Sequence, residues 1–80
     1  MALTAGNLMS YLRDELGVDT KDIEVVTPLF SSGVIDSFGL VQLITYIEDQ
    51  CGLRVSANDV NLDNLDSIER ILAYGARITA

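Results

Sequence analysis

Leu8, Leu12 and Leu16 recur every four residues, with Met9 beside the first two, which is the apolar stripe of an amphipathic helix. Thr4 or Asn7 is placed to cap its start, and Gly17 stands where a left-handed residue ends a helix, so a helix is expected over about residues 5 to 16. From Val18 to Asp36 the periodicity fails. This stretch carries Thr27-Pro28, Ser31, Ser32 and Gly33 among the isolated apolar residues Ile23, Val25, Leu29, Phe30 and Ile35. A structureless run of ~20 residues in a compact domain is commonly functional or disordered. Its apolar residues argue for a long loop anchored on a core, with a short helical turn near Pro28 to Ser32. A second stripe, Leu40, Leu43, Ile44, Ile47 and Cys51, predicts a helix over 37–51, begun by Asp36 or Ser37 and stopped by Gly52. Leu53-Arg54-Val55 reads as an extended connector, and residues 58–63 as a short third helix or turn. Asp66-Ser67-Ile68-Glu69 has the form of a capping box, with Asp66 as the cap, leading into Ile68, Ile71, Leu72 and Ile78, so a last helix is expected over 66–78. The pattern as a whole predicts an all-α chain: a four-helix bundle with a long loop between helices 1 and 2 and a short third helix, in one domain spanning residues 1–80.

Composition narrows what such a bundle can do. The chain has no histidine, which removes the usual general base near neutral pH and the commonest metal ligand. Its single cysteine, Cys51, excludes an internal disulfide and a multi-thiolate zinc site, and its place in the second stripe marks it as a packing thiol. Asp59-x-Asn61-x-Asp63 begins like a calcium loop, but Asn64 stands where the turn glycine belongs and Arg70 where the twelfth-position glutamate belongs. No catalytic residue and no metal site are therefore assigned. The net charge of −7 is spread along the chain, with six acids and two bases up to Asp36 and six acids and three bases beyond it. That field disfavours nucleic acid and anionic membranes and favours basic protein partners. The hydrophobic share of 49% separates the chain from disordered acidic sequences. No apolar run approaches the ~20 residues that span a bilayer, and Met1-Ala2-Leu3-Thr4 lacks the start of a signal peptide, so a cytoplasmic protein without membrane insertion is expected.

The informative stretch is Leu29-Phe30-Ser31-Ser32-Gly33-Val34-Ile35-Asp36-Ser37-Phe38, leading directly into the second helix. Gly33-x-x-Asp36-Ser37-Phe38, followed by Val41, Leu43, Ile44, Ile47 and Glu48, resembles the acyl carrier protein signature around the serine that receives 4′-phosphopantetheine. The likeness extends over nearly the whole chain, through Gly52-Leu53-Arg54-Val55 and Asp63-Asn64-Leu65-Asp66-Ser67-Ile68. It implies a carrier, itself not an enzyme, whose Ser37 takes the arm from coenzyme A and holds a biosynthetic intermediate as a thioester. Asp36 would then orient that serine and the metal of the phosphopantetheinyl transferase. Physical reasoning agrees with the place: a serine where a long loop enters a helix lies beside unpaired amides and the positive end of the helix dipole, which favours a phosphate. The alternative for Ser37 is an ordinary helix cap, and Asp66-Ser67-Ile68 repeats the dipeptide without the upstream glycine and loop.

Phe38 and Val41 fall to the side of the predicted stripe, either as peripheral core or, as the resemblance implies, where carrier proteins contact partners, and Glu48 and Asp49 are acids in the helix's last turns. These four are the candidate partner-binding residues, together with the loop acids Asp19, Asp22 and Glu24. Gly39 and Gln42 stand where fatty-acid carriers have acids, and the glycine suggests close approach of a partner or arm. Asp36-Ser37-Phe38-Gly39-x-Val41-Gln42-Leu43 resembles free-standing, monomeric carriers loaded by adenylating ligases, including D-alanyl carriers and carriers of natural-product pathways. The implied partners are the transferase, an adenylating acyl- or aminoacyl-ligase and downstream acyltransferases or synthases. A type II fatty-acid or polyketide carrier is one alternative, and an acidic helical interaction module without a prosthetic group is another. Leu43, Ile44, Ile47, Ile68, Ile71 and Leu72 either line a space for an acyl chain or simply pack against one another.

Overall fold

Four helices and a 3₁₀ turn follow one another: α1 (Ala5–Asp14), α2 (Ser37–Cys51), the turn Ala57–Asp59, α3 (Leu62–Leu65) and α4 (Ile68–Ile78). The computed structural model describes residues 3–79, and no strand forms among them. The expectations for the N-terminus at Met1 and Ala2, and for the domain's last residue at Ala80, lie outside the described residues. The chain is all-α, as the hydrophobic pattern predicts.

Each helix begins where a short polar side chain takes up an amide that has no partner inside the helix. Thr4 accepts from the Asn7 amide, Asp36 from Gly39, Asn61 from Asn64 and Ser67 from Arg70. The stripes meet in one core: Leu8 and Leu12 of α1, Leu43 and Ile47 of α2, Leu65 of α3, and Ile68, Ile71 and Tyr74 of α4. Burying each such side chain is worth about 1.5–3 kcal/mol. α4 packs against α1 and α3. Between α1 and α2, Tyr11 stacks on Tyr46 with ring centres 4.2 Å apart and donates its hydroxyl to the Gln42 carbonyl at 3.0 Å.

Four places differ from the pattern. The short third element, expected over 58–63, divides into the 3₁₀ turn Ala57–Asp59 and α3 at Leu62–Leu65, because Asn61 between them caps α3 by accepting the Asn64 amide. Regular α1 ends at Asp14, because the next amides reach back in a wider turn, Leu16 to the Tyr11 carbonyl and Val18 to the Leu12 carbonyl. Gly17, at φ +69°, reverses the chain there. α4 starts at Ile68 with Ser67, not Asp66, as its cap. The cap therefore lies one residue later than expected and the capping box does not form, since Arg70, not an acid, stands three residues after Ser67. Near Pro28 to Ser32 the chain forms a turn closed by the Gly33 amide on the Phe30 carbonyl, in place of the expected helical turn.

The long loop is tied to the bundle by its apolar side chains and by its backbone. Leu29 and Ile35 are buried in the core. The Ile35 amide returns to the Leu29 carbonyl at 2.9 Å, and Val25 accepts the Glu69 amide at 2.9 Å. Tyr74, which the α4 stripe passes over, is also buried; its hydroxyl donates to Asp59 at 2.9 Å. Burial, with that hydrogen bond, pushes the Tyr74 hydroxyl up to about 12. Asp59 and Asn61, two of the three calcium-loop look-alikes, thus serve Tyr74 and the α3 cap. No group of three or more metal-ligating side chains occurs among the described residues.

Candidate functional site

Ser37 is the first residue of α2 and is exposed. Asp36 precedes it in extended backbone and accepts the Gly39 amide at 2.9 Å, so the carboxylate is engaged as the helix cap and the serine hydroxyl is left to solvent. The first turn, Ser37-Phe38-Gly39-Leu40, carries no acid. The positive end of the helix dipole is opposed only by the cap, which leaves it suited to a phosphate on Ser37. An exposed hydroxyl at the start of a helix whose first turn adds no acid to the cap fits a phosphodiester-linked arm.

Gly39 explains how this end of α2 comes so near the loop. It is buried, and a Cβ there would lie 2.6 Å from Ile35 Cγ2 and 3.8 Å from Leu16 Cδ1. The close approach expected of a partner or arm is instead made by the chain's own Ile35, and an acid at this position would face inward. A groove of about 300 Å³ runs along the start of α2, walled by Glu15, Leu16 and Val18 and by Gly33 to Asp36, Phe38, Gly39 and Gln42; Ser37 does not line it. On a different face, Phe30, Leu40, Val60, Asn61, Leu62 and Leu65 line an apolar cleft of about 220 Å³. Of the two readings open for the interior residues, packing describes Leu43, Ile47, Ile68 and Ile71, which are fully buried, and of α2 only Leu40 borders the cleft.

Of the candidate contact residues, Phe38 is 71% exposed and Val41 63%, large values for apolar side chains. Asp49 is exposed beside them on α2, as are Asp19, Asp22 and Glu24 on the loop. Glu48 is half-buried, and its carboxylate also accepts the Val55 amide at 2.8 Å, which holds the connector after α2. Cys51 is half-buried against the core, and burial pushes its thiol up, away from the reactive thiolate.

Asp66 is the residue that sequence reasoning placed but misread. It is 8% exposed, and its carboxylate accepts from the Phe30 amide at 2.8 Å, the Ser31 amide at 3.0 Å and the Ser31 hydroxyl at 2.7 Å. Burial works against its charge, and the hydrogen bonds from Ser31, Phe30 and Leu29 outweigh it, holding the carboxyl below its ordinary value. No local pattern signals a bond between residues 35 apart in sequence.

Residues 7–74 match the family described as the phosphopantetheine attachment site. The chain is also 31% identical over 70 residues to D-alanyl carrier protein 1 of Lactiplantibacillus plantarum, an alignment covering 88% of this chain and 86% of that protein. No solved structure matches.

Proposed function

The chain belongs to the phosphopantetheine-attachment family and is a carrier protein bearing a covalent 4′-phosphopantetheine, and from that premise we propose that Ser37 is the attachment point and that the protein is a free-standing carrier of aminoacyl or acyl groups. The observation that carries the reading is the exposed Ser37 hydroxyl at the first position of α2, directly after its Asp36 cap. Bound there, the arm supplies a terminal thiol that holds cargo as a thioester. The protein's own residues present and orient. Asp36 fixes the first turn of α2 and, with its remaining oxygen, helps the transferase and its metal address the serine. Phe38 and Val41 offer an apolar contact to partner enzymes, and Asp49 with the loop acids complements basic surfaces. Covalent attachment makes delivery intramolecular after docking, so weak, transient contacts suffice.

An aminoacyl cargo loaded by an adenylating ligase is supported by the likeness to a D-alanyl carrier protein. A second reading, an acyl cargo as in type II fatty-acid or polyketide synthesis, is favoured by the apolar cleft beside Leu40 and Leu62. The family match sets aside an interaction module without a prosthetic group. No helix among the described residues is long and apolar enough to cross a membrane, and a cytoplasmic carrier is proposed.

The test is to incubate the purified chain with coenzyme A, magnesium and a broad-specificity phosphopantetheinyl transferase, then to weigh it intact. A gain of one phosphopantetheinyl group that disappears in Ser37→Ala is expected. No gain, or a gain that survives Ser37→Ala, overturns the assignment.

A further inference from the structure

The loop that delivers the chain to Ser37 is fixed at one point by a buried carboxylate that its own helix does not need. Ser67 caps α4, so Asp66 is free of that task, and its carboxylate turns across the bundle to the Phe30 amide, the Ser31 amide and the Ser31 hydroxyl at 2.7–3.0 Å. Its backbone carbonyl accepts the Leu29 amide at 2.7 Å. Three successive loop residues are thus tied to the junction between α3 and α4. From Leu29 the restraint passes on: its carbonyl accepts the Ile35 amide, and the Ile35 side chain is buried against Gly39 of α2. Asp36 and Ser37 are the next two residues.

We propose that Asp66 is a positioning residue for arm attachment, holding the 29–31 segment so that Ser37 is presented to the transferase in one arrangement. The proposal rests on the reading of Ser37 as the attachment point. Without the carboxylate, the Phe30 and Ser31 amides lose their acceptor, and the segment exchanges among positions. Only a fraction of molecules then presents Ser37 productively. Apparent affinity for the transferase falls by that fraction, while turnover of the docked complex is unchanged.

The test measures arm transfer to the full-length chain over a range of carrier concentrations, with coenzyme A and magnesium saturating, for wild type, Asp66→Ala, Asp66→Asn, Ser31→Ala and Tyr74→Phe. Asp66→Ala is expected to raise KM by about three- to tenfold with kcat unchanged. Asp66→Asn, which keeps one carbonyl oxygen for the two amides, restores most of the loss, and Ser31→Ala, which removes the hydroxyl bond alone, gives a smaller rise. Tyr74→Phe removes a hydrogen bond to Asp59 on another part of the bundle and is expected to lower stability without moving KM. A folded Asp66→Ala with the wild-type KM overturns the proposal, as does a Tyr74→Phe variant that raises KM equally. Should Asp66→Ala fail to fold, a wild-type KM in both Asp66→Asn and Ser31→Ala overturns it. A wild-type chain not modified at Ser37 overturns the attachment reading itself, and the proposal with it.

Discussion

The dipeptide Asp-Ser occurs twice, each time at the start of a helix and before an apolar residue, and the two copies are used in opposite registers. At Asp36-Ser37 the aspartate is the cap, accepting the Gly39 amide, and the serine is the exposed first residue of α2. At Asp66-Ser67 the serine is the cap, accepting the Arg70 amide, and both residues are buried. Helix capping alone allows either choice, since Asp and Ser cap about equally well. The difference is made by what lies opposite. The amides of Phe30 and Ser31 and the Ser31 hydroxyl draw the Asp66 carboxylate across the bundle, and the cap falls to the next residue. Among the described residues the Asp36 carboxylate takes the Gly39 amide of its own helix, and the following serine is left outward. A one-residue change of register separates a chemically addressable hydroxyl from a structural one.

Substitutions at the four positions should break this comparison in an ordered way. Asp66→Ala leaves the Phe30 and Ser31 amides without their acceptor in a partly buried place, and is expected to cost about 2–3 kcal/mol in urea unfolding. Asp36→Ala removes only a cap and should cost about 1 kcal/mol, yet it should also slow arm transfer. A greater loss of stability at Asp36 than at Asp66 would show that the roles are reversed. Ser67→Ala is likewise a cap deletion worth about 1 kcal/mol, with loading by the transferase retained, whereas Ser37→Ala should change stability by no more than about 0.5 kcal/mol while abolishing loading.

Acid sharpens the same contrast. The Asp66 carboxyl is held below its ordinary value in the fold, so its contribution is complete above the unfolded-chain pKa and is lost as pH falls through the folded one. Stability measured as a function of pH should show an acid limb that Asp66→Asn flattens; an unchanged limb would remove Asp66 from the account. The smallest expected effect on folding is at the exposed face of α2: Phe38→Ala and Val41→Ala should shift stability by no more than about 0.5 kcal/mol. The same two changes should reduce kcat/KM with the loading ligase, which kinetics with the arm-bearing protein would detect.

Much of the architecture is legible in the chain. α2 runs over the residues its stripe predicts, because Leu43 and Ile47 must be covered and Gly52, at φ +68°, ends the helix. The exposure of Ser37, Phe38 and Val41 follows from the same helical phase. What could not be read depends on partners distant in sequence or outside a regular period. Asp66 is fixed by residues 35 positions away, and Glu48 by the connector amide of Val55 after the chain has turned back. Gly39 suggests the approach of a partner or arm until Ile35, outside the helix, is seen to occupy the space of its missing side chain. The loop follows buried Leu29 and Ile35 and backbone bonds that no hydrophobic period encodes.

The central claim is that Ser37, not Ser67, carries the arm and its cargo. It is tested most directly by isolating the protein from its native cell, digesting it, and locating the modification by peptide mass spectrometry with the arm ejected intact. The account predicts phosphopantetheine on the peptide containing Ser37, extended by an aminoacyl or acyl thioester, and an unmodified peptide containing Ser67. An arm on any other residue, or a protein recovered wholly without one, would contradict it.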